Sequence, residues 1–330
     1  MITVLGTGAW GTTFAKVLAD AGNELLLWGR DPAIVAELND RHTNEAYLPG
    51  HVLPEGVRAT GDLAAAVTGA STLVIGVPSQ VVREVLTPVA HLVPPEATVV
   101  SLMKGIELGT DLRMTQVLGE LGLAEDHLVV LSGPNLSREI AAGQPSASVL
   151  ACVDVGRAEE VAHLCATGYF RPYVSDDVVG VELAGAVKNV IAVAVGMAAG
   201  AGFGDNTKAT IITRGLAEIT RLAVALGADP ATMAGLAGLG DLVATCASSL
   251  SRNHTLGRHI GAGMGLEQAV AATGGTAEGA KSCRSVAHLA RTLDVEMPIT
   301  DAVVGVLYEG LGVREMTRML LSRPRKDERA

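Results

Sequence analysis

Six residues near the start of the chain restrict the fold more than any other feature. Gly6-Thr7-Gly8-Ala9-Trp10-Gly11 sets three glycines in a G-x-G-x-x-G spacing. Residues 2–5 before it (ITVL) read as a strand, and residues 12–21 after it read as a helix ended by Gly22. A strand that turns through glycines directly into a helix presents unpaired N–H groups at the helix N-terminus, where an anion is favoured. In such a turn the first glycine makes the tight bend and the second lets the backbone approach a pyrophosphate. The third permits close helix–sheet contact. Gly6, Gly8, Ala9, Trp10 and Gly11 are therefore candidate dinucleotide contacts. The bland alternative is an ordinary glycine turn.

The rhythm of the first half agrees with the dinucleotide reading. Short apolar runs at 24–28, 72–75, 98–101 and 128–131 alternate with helical patterns, and 147–151 and 169–174 add further strand candidates. Continuous apolar strands separated by helices predict a parallel sheet covered on both faces. From about residue 177 the pattern is helical, with long helices expected at 177–199 and 207–226. The expected fold is an α/β, Rossmann-like doubly wound sheet followed by an all-α C-terminal domain. The expected division is 1–178 for dinucleotide binding and 179–330 for a helical substrate-binding domain. Aromatic residues are only 3% of the chain against 48% hydrophobic, so the core must be built from aliphatic side chains.

Charge narrows the partners. The formal net charge is −10, which argues against a nucleic-acid partner. It also means that a phosphorylated substrate needs a local cationic pocket, because the overall field repels it. Cys152, Cys165, Cys246 and Cys283 form no C-x-x-C pair and read as reduced thiols of a cytoplasmic protein. No leader peptide is expected, since residue 2 already enters a strand. The longest uncharged stretch, 189–204, is shorter than the ~20 residues of a membrane span, so no span is expected. No metal is expected. Residues 323–329 form a charge run that reads as a solvated tail.

Several polar residues stand in unusual places. Arg30 follows the second strand where a 2′-phosphate of NADP can be received, although Asp31 comes next and an acidic residue there suits NAD. The cofactor is thus NADP or NAD. The loop 76–79 ends a later strand and can flank the cofactor. Lys104 follows an apolar strand, and Lys188 lies inside a very apolar helix. Snorkelling to solvent is the ordinary fate of such lysines. The face around Lys188, however, carries Gly185, Asn189, Ala192, Gly196 and Gly200, which suits a cavity wall or a tight helix contact. A lysine held partly out of water gives up its proton more readily than a solvated one, which suits proton transfer near neutral pH. Asp241 is a carboxylate behind two glycines, followed by Thr245. Arg252 can grip a phosphate bidentately, with Ser251 and Asn253 adding donors. A helix cap at Ser251 with an exposed Arg252 is the alternative. Ser132-Gly133-Pro134-Asn135 and 274–279 are further loops with exposed backbone.

Taken together these residues resemble the bacterial-type NAD(P)-dependent glycerol-3-phosphate dehydrogenases. The most specific stretches are GAVKNVIA at 185–192, ITRGLAE at 212–218, GLGDL at 238–242, Ser251-Arg252-Asn253 and MPIT at 297–300. The resemblance runs along essentially the whole chain. It implies that Lys188 is the acid of ketone reduction and the base of alcohol oxidation, with Lys104 and Asp241 orienting the site. It implies substrate contacts at Lys104, Gly133, Asn135, Lys188, Asp241, Ser251, Arg252 and Asn253. Cofactor contacts are implied at Lys104, Ser137, Arg252, Thr276 and Glu278. The implied partner is a small phosphorylated triose, and the implied assembly a homodimer. Ala9 departs from the serine common in the family, and Thr276 from a commoner apolar residue. A β-hydroxyacid dehydrogenase shares the sheet-plus-helices plan. Its lysine, however, is followed by an asparagine one helical turn later, whereas here Asn189 is adjacent. An NADP-sensing regulator would keep the glycine turn without needing Lys188, Asp241 and Arg252 together.

Overall fold

A computed structural model describes residues 1–274 and 277–322. Thr276 and the charge run at 323–329 lie outside the described residues. Among the described residues eight strands build one sheet: β1 (Ile2–Leu5), β2 (Leu25–Trp28), β3 (Val57–Thr60), β4 (Thr72–Ile75), β5 (Thr98–Ser101), β6 (Leu128–Ser132), β7 (Ser146–Ala151) and β8 (Phe170–Ser175). Their order across the sheet is β3-β2-β1-β4-β5-β6-β7-β8. The neighbours from β3 to β6 pair parallel, and β7 pairs antiparallel with β6. The order reverses between β1 and β4, and the crevice beyond the carboxyl ends of such strands is where open α/β sheets take ligands.

β1, β4, β5 and β6 bury every residue, which is why they read as unbroken apolar runs. The apolar pattern does not predict β3. Only Val57 of that strand is buried, and an edge strand needs little more. The helices of the first half are α1 (Ala9–Asp20), α2 (Pro32–Arg41), α3 (Leu63–Thr68), α4 (Val82–Leu86), α5 (Met114–Glu120), α6 (Ser137–Ala141) and α7 (Val155–Cys165). α1 starts three residues before its expected position, because Gly8 is its N-cap and the helix begins inside the glycine turn.

The second half comprises α8 (Val178–Gly200), α9 (Asp205–Ala225), α10 (Pro230–Ala234), α11 (Asp241–Ala247), α12 (Arg252–Gly261), α13 (Leu266–Thr273), α14 (Glu278–Thr292), α15 (Pro298–Tyr308) and α16 (Val313–Leu321). A π-helical turn at Leu236–Gly240 leads directly into α11. The Asp177 side chain starts α8 by accepting from the Gly180 N–H at 2.8 Å. Every residue of α8 from Gly180 to Ala198 is buried. The helix packs against the other helices of its half and also against Val130 and Ala151 of the sheet.

α8 is long and apolar enough to cross a membrane, but 89% of its most apolar window is covered by the rest of the protein, so it is a core helix. The uncharged stretch alone underestimates its length, because Glu182 and Lys188 sit inside it and are paired there. The small-residue face predicted around Lys188 is in large part a helix crossing. A Cβ on Gly196 would lie 2.1 Å from the His254 carbonyl oxygen, and one on Gly257 would lie 2.1 Å from that of Val193. Glycines on both helices bring the α8 and α12 backbones into direct contact.

Candidate active site

The charges that looked misplaced in sequence meet at one point. Lys188, on the buried face of α8, donates to Asp241 Oδ1 at 2.6 Å and to Thr245 Oγ1 at 2.6 Å. Lys104, on the loop after β5, donates to Asp241 Oδ2 at 2.7 Å and to the Gly133 carbonyl at 2.9 Å. One carboxylate therefore holds two ammonium groups, one on each oxygen. Asp241 is 1% exposed and Lys188 is 5% exposed, so neither charge is compensated by bulk water.

This packing sets the ionisation of the group. Burial opposes the charged form of Asp241, but the ammoniums of Lys104 and Lys188 outweigh it and hold the carboxyl below its ordinary value. Burial lowers Lys104 to about 8, with Asp241 resisting and Lys188 adding to the fall. Thr245, noted in the sequence only as the hydroxyl after Asp241, is the second side chain that holds the Lys188 ammonium. It lies one helical turn beyond Asp241 and donates to Asp241 Oδ1 at 3.1 Å, which fixes the position of the Lys188 ammonium.

Amides frame the cluster. Asn253 donates through Nδ2 to Asn189 Oδ1 at 2.9 Å, and its Oδ1 accepts from the Gly279 N–H at 2.9 Å. Asn189 in turn donates to the Lys104 carbonyl at 3.4 Å. Asn253 thus ties α12 to α8 and to the start of α14. Ser251 is the N-cap of α12, accepting from the His254 N–H at 3.3 Å, and Arg252 is exposed beside it. The cap and the exposed arginine coexist. Asn135 accepts from Ser148 at 2.5 Å, while its own Nδ2 is buried without a partner among the described residues.

The glycine turn lies at the carboxyl end of the same sheet. Gly6 has φ +115°, a conformation that L side chains rarely adopt, and a Cβ on Gly11 would fall 2.1 Å from the Gly6 oxygen. A Cβ on Gly6 would meet the backbone of Gly76 at 2.9 Å, so the loop after β4 packs directly on the turn. Among the described residues nothing lies within 4 Å of a Cβ built on Gly8, and no side chain caps the N-terminus of α1. This leaves open space beside free N–H donors, which fits a dinucleotide pyrophosphate. Asn44 braces the turn through Thr7 and Thr12 at 2.8 and 2.9 Å. Trp10 packs on Phe14 with ring centroids 5.8 Å apart.

The remaining candidates sit around these two centres. Asp31 is committed to capping α2, accepting from the Ala33 N–H at 2.9 Å, while Arg30 is exposed. Ser137 opens α6, and its carbonyl accepts from Thr13 of α1 at 3.3 Å. Glu278 opens α14 and accepts from Ser79 of the loop after β4 at 2.5 Å. Burial raises the Glu278 carboxyl above its ordinary range, against Ser79, Lys281 and Arg252. The loop after β4 therefore touches the glycine turn through Gly76 and α14 through Ser79, linking the nucleotide side to the charged cluster.

Comparison with known proteins gives the family of the chain. Residues 1–158 match the N-terminal model of NAD-dependent glycerol-3-phosphate dehydrogenase, and residues 177–318 match its C-terminal model. The chain belongs to this family. A glycerol-3-phosphate dehydrogenase (NAD(P)+) of Nocardia farcinica is 57% identical over 332 residues, spanning 98% of each chain. The enzyme of that name from Thermobifida fusca is 56% identical over 330 residues, spanning 99% of this chain and 98% of its own. The crystal structure of glycerol-3-phosphate dehydrogenase from Coxiella burnetii superposes with a TM-score of 0.93 at 37% identity, covering 98% of both chains. The expected sheet-then-helices fold is the fold of this family.

Proposed function

We propose that the chain reduces dihydroxyacetone phosphate to sn-glycerol 3-phosphate, and catalyses the reverse oxidation, with NADP(H) or NAD(H), supplying glycerol 3-phosphate for phospholipid synthesis. Residues 1–178 form the dinucleotide-binding part and residues 179–330 the substrate-binding part. The observation that carries this reading is the buried Lys104–Asp241–Lys188 pair of ion pairs, in a chain whose glycine turn fits a dinucleotide.

A dinucleotide held by the glycine turn would supply hydride chemistry at the carbonyl carbon. The chain's own residues supply orientation and the proton. Lys188 donates its proton to the ketone oxygen as that oxygen becomes an alcohol, and takes it back in the oxidation. Asp241 and Thr245 hold the ammonium still, so no rearrangement is needed at the moment of transfer. Lys104 is a second cation for the substrate oxygens, beside the backbone of Gly133. Arg252, exposed at the first position of α12, reaches the phosphate. Arg252→Ala raises KM for dihydroxyacetone phosphate with a smaller effect on kcat; an unchanged KM removes the phosphate role.

The direct test is an absorbance assay with dihydroxyacetone phosphate against NADPH and NADH. Oxidation of the cofactor supports the reading, and turnover only with a β-ketoacid replaces it by the hydroxyacid alternative. Because Asp31 caps a helix while Arg30 is exposed, NADPH is the preferred cofactor, and Arg30→Ala narrows the gap between NADPH and NADH. Lys104 gives a pH signature. Its proton leaves near pH 8, so kcat/KM for the ketone falls on the alkaline side of that value while Asp241 stays charged. The four cysteines are free and buried, which suits a reducing cytoplasm. The homodimer belongs to the same proposal, and light scattering on the purified chain tests it.

A further inference from the structure

The loop that carries Lys104 is fastened to α8 along one face of that helix. Glu182, Gly185 and Asn189 are spaced i, i+3 and i+7 and so share a side. At the near end Asn189 donates to the Lys104 carbonyl at 3.4 Å. In the middle Gly185 faces Ser132 and the Lys104 side chain: a Cβ there would lie 2.7 Å from Ser132 Oγ and 3.4 Å from Lys104 Cγ. At the far end Glu182, a 6% exposed carboxylate, accepts from the Thr115 N–H at 2.8 Å, the Thr115 hydroxyl at 2.6 Å and the Arg113 guanidinium at 2.5 Å. Arg113 pairs with Ile106 across the base of the loop. The segment between Lys104 and Thr115 is therefore a closed loop: Glu182 ties its far end to α8, while Gln80, Arg83 and Ser285 tie its middle at Ile106 and Glu107.

We propose that Glu182 is a positioning residue: by gripping Arg113 and Thr115 it sets how far the Lys104 loop lies along α8, and so keeps Lys104 and Lys188 on opposite oxygens of Asp241. Glu182 sits almost two helical turns before Lys188. Its three partners all belong to the segment that begins at Lys104. A buried carboxylate with three donors is costly to assemble unless its geometry is held, and here the geometry it holds is the register between the two lysine-bearing elements. This inference rests on the proposed roles of Lys104 and Lys188.

The test uses the whole enzyme with two variants. Glu182→Gln removes the charge and keeps the shape. Thr115→Val removes one donor without any change of charge, and is the milder variant should the first fail to fold. In either variant the loop slackens and Lys104 loses part of its contact with Asp241, which is what resists the fall of its pKa. The expected result is a loss of kcat of about tenfold, an unchanged KM for NADPH and an alkaline limb of kcat/KM moved to lower pH. The pH dependence of reductive methylation at Lys104, read by mass spectrometry, reports the same shift without turnover. A fall in melting temperature with kcat and both pH profiles unmoved overturns the proposal and leaves Glu182 a structural tie; so does a loss of kcat with neither profile moved. A wild-type chain inactive on dihydroxyacetone phosphate, with the methylation profile still shifted in the variants, rejects the proposed function and keeps the positioning role.

Discussion

Replacing Lys188 by alanine lowers kcat for dihydroxyacetone phosphate by about 100- to 10,000-fold, the range that loss of a positioned general acid produces. The size follows from burial. Lys188 is 5% exposed, its ammonium is spent on Asp241 and Thr245, and no bulk water is at hand to replace it as the proton donor. KM for NADPH stays where it was, because the glycine turn and Arg30 are on separate elements. Lys188→Arg does not rescue, since a guanidinium keeps its proton at any working pH. Steady-state kinetics with purified variants decide the matter, and a variant that keeps wild-type turnover removes the lysine from the chemistry. Lys104 remains on the other oxygen of Asp241 in every case, so the carboxylate is not left as a lone buried charge and the fold survives.

The second large effect is on stability. Gly196→Ala places a methyl group 2.1 Å from the His254 carbonyl oxygen, with the Arg258 nitrogen 2.9 Å away. Both obstacles are backbone, and neither can rotate aside. The helices must separate, at a cost of about 3 kcal/mol or more, and the melting temperature drops by roughly 5 °C or more. Activity falls with it, because α8 carries Lys188 and α12 carries Asn253. Gly119→Ala is the control. That glycine lies within α5 with nothing inside 4 Å of its would-be Cβ, so alanine there stabilises by roughly 0.5–1 kcal/mol. Calorimetry on the two variants should therefore move in opposite directions. A Gly196→Ala protein that melts with the wild type means the helix crossing is looser than described.

Both effects show what the sequence could and could not convey. β4 and β5 were legible to the residue because all four positions of each are apolar or small and buried. β3 was not, because an edge strand with a single buried residue has no pattern to see. Lys104, Lys188 and Asp241 stood out because each interrupts apolar or glycine-rich surroundings, and charge in such places needs a partner. That they are one another's partners is a fact of three dimensions, across 137 and 53 residues of chain. Thr245 and Glu182 gave less signal. A threonine near a helix end and a glutamate near a helix start are ordinary until their neighbours are known. Asn253 was named as a ligand for phosphate, and the fold shows that its amide also spans three helices.

The apolar character of α8 also matters before the protein is finished. About 50 further residues must be synthesised after α8 before α12, whose glycines meet it, begins to form. At ordinary translation speeds that is about 3–10 s during which the face of this apolar segment that α12 covers stays open. Chains truncated between the two helices should therefore aggregate, recruit chaperones or partition into lipid, whereas the complete chain hides the segment. Premature termination or slow decoding in that interval would thus be far more damaging than the loss of the C-terminal residues themselves.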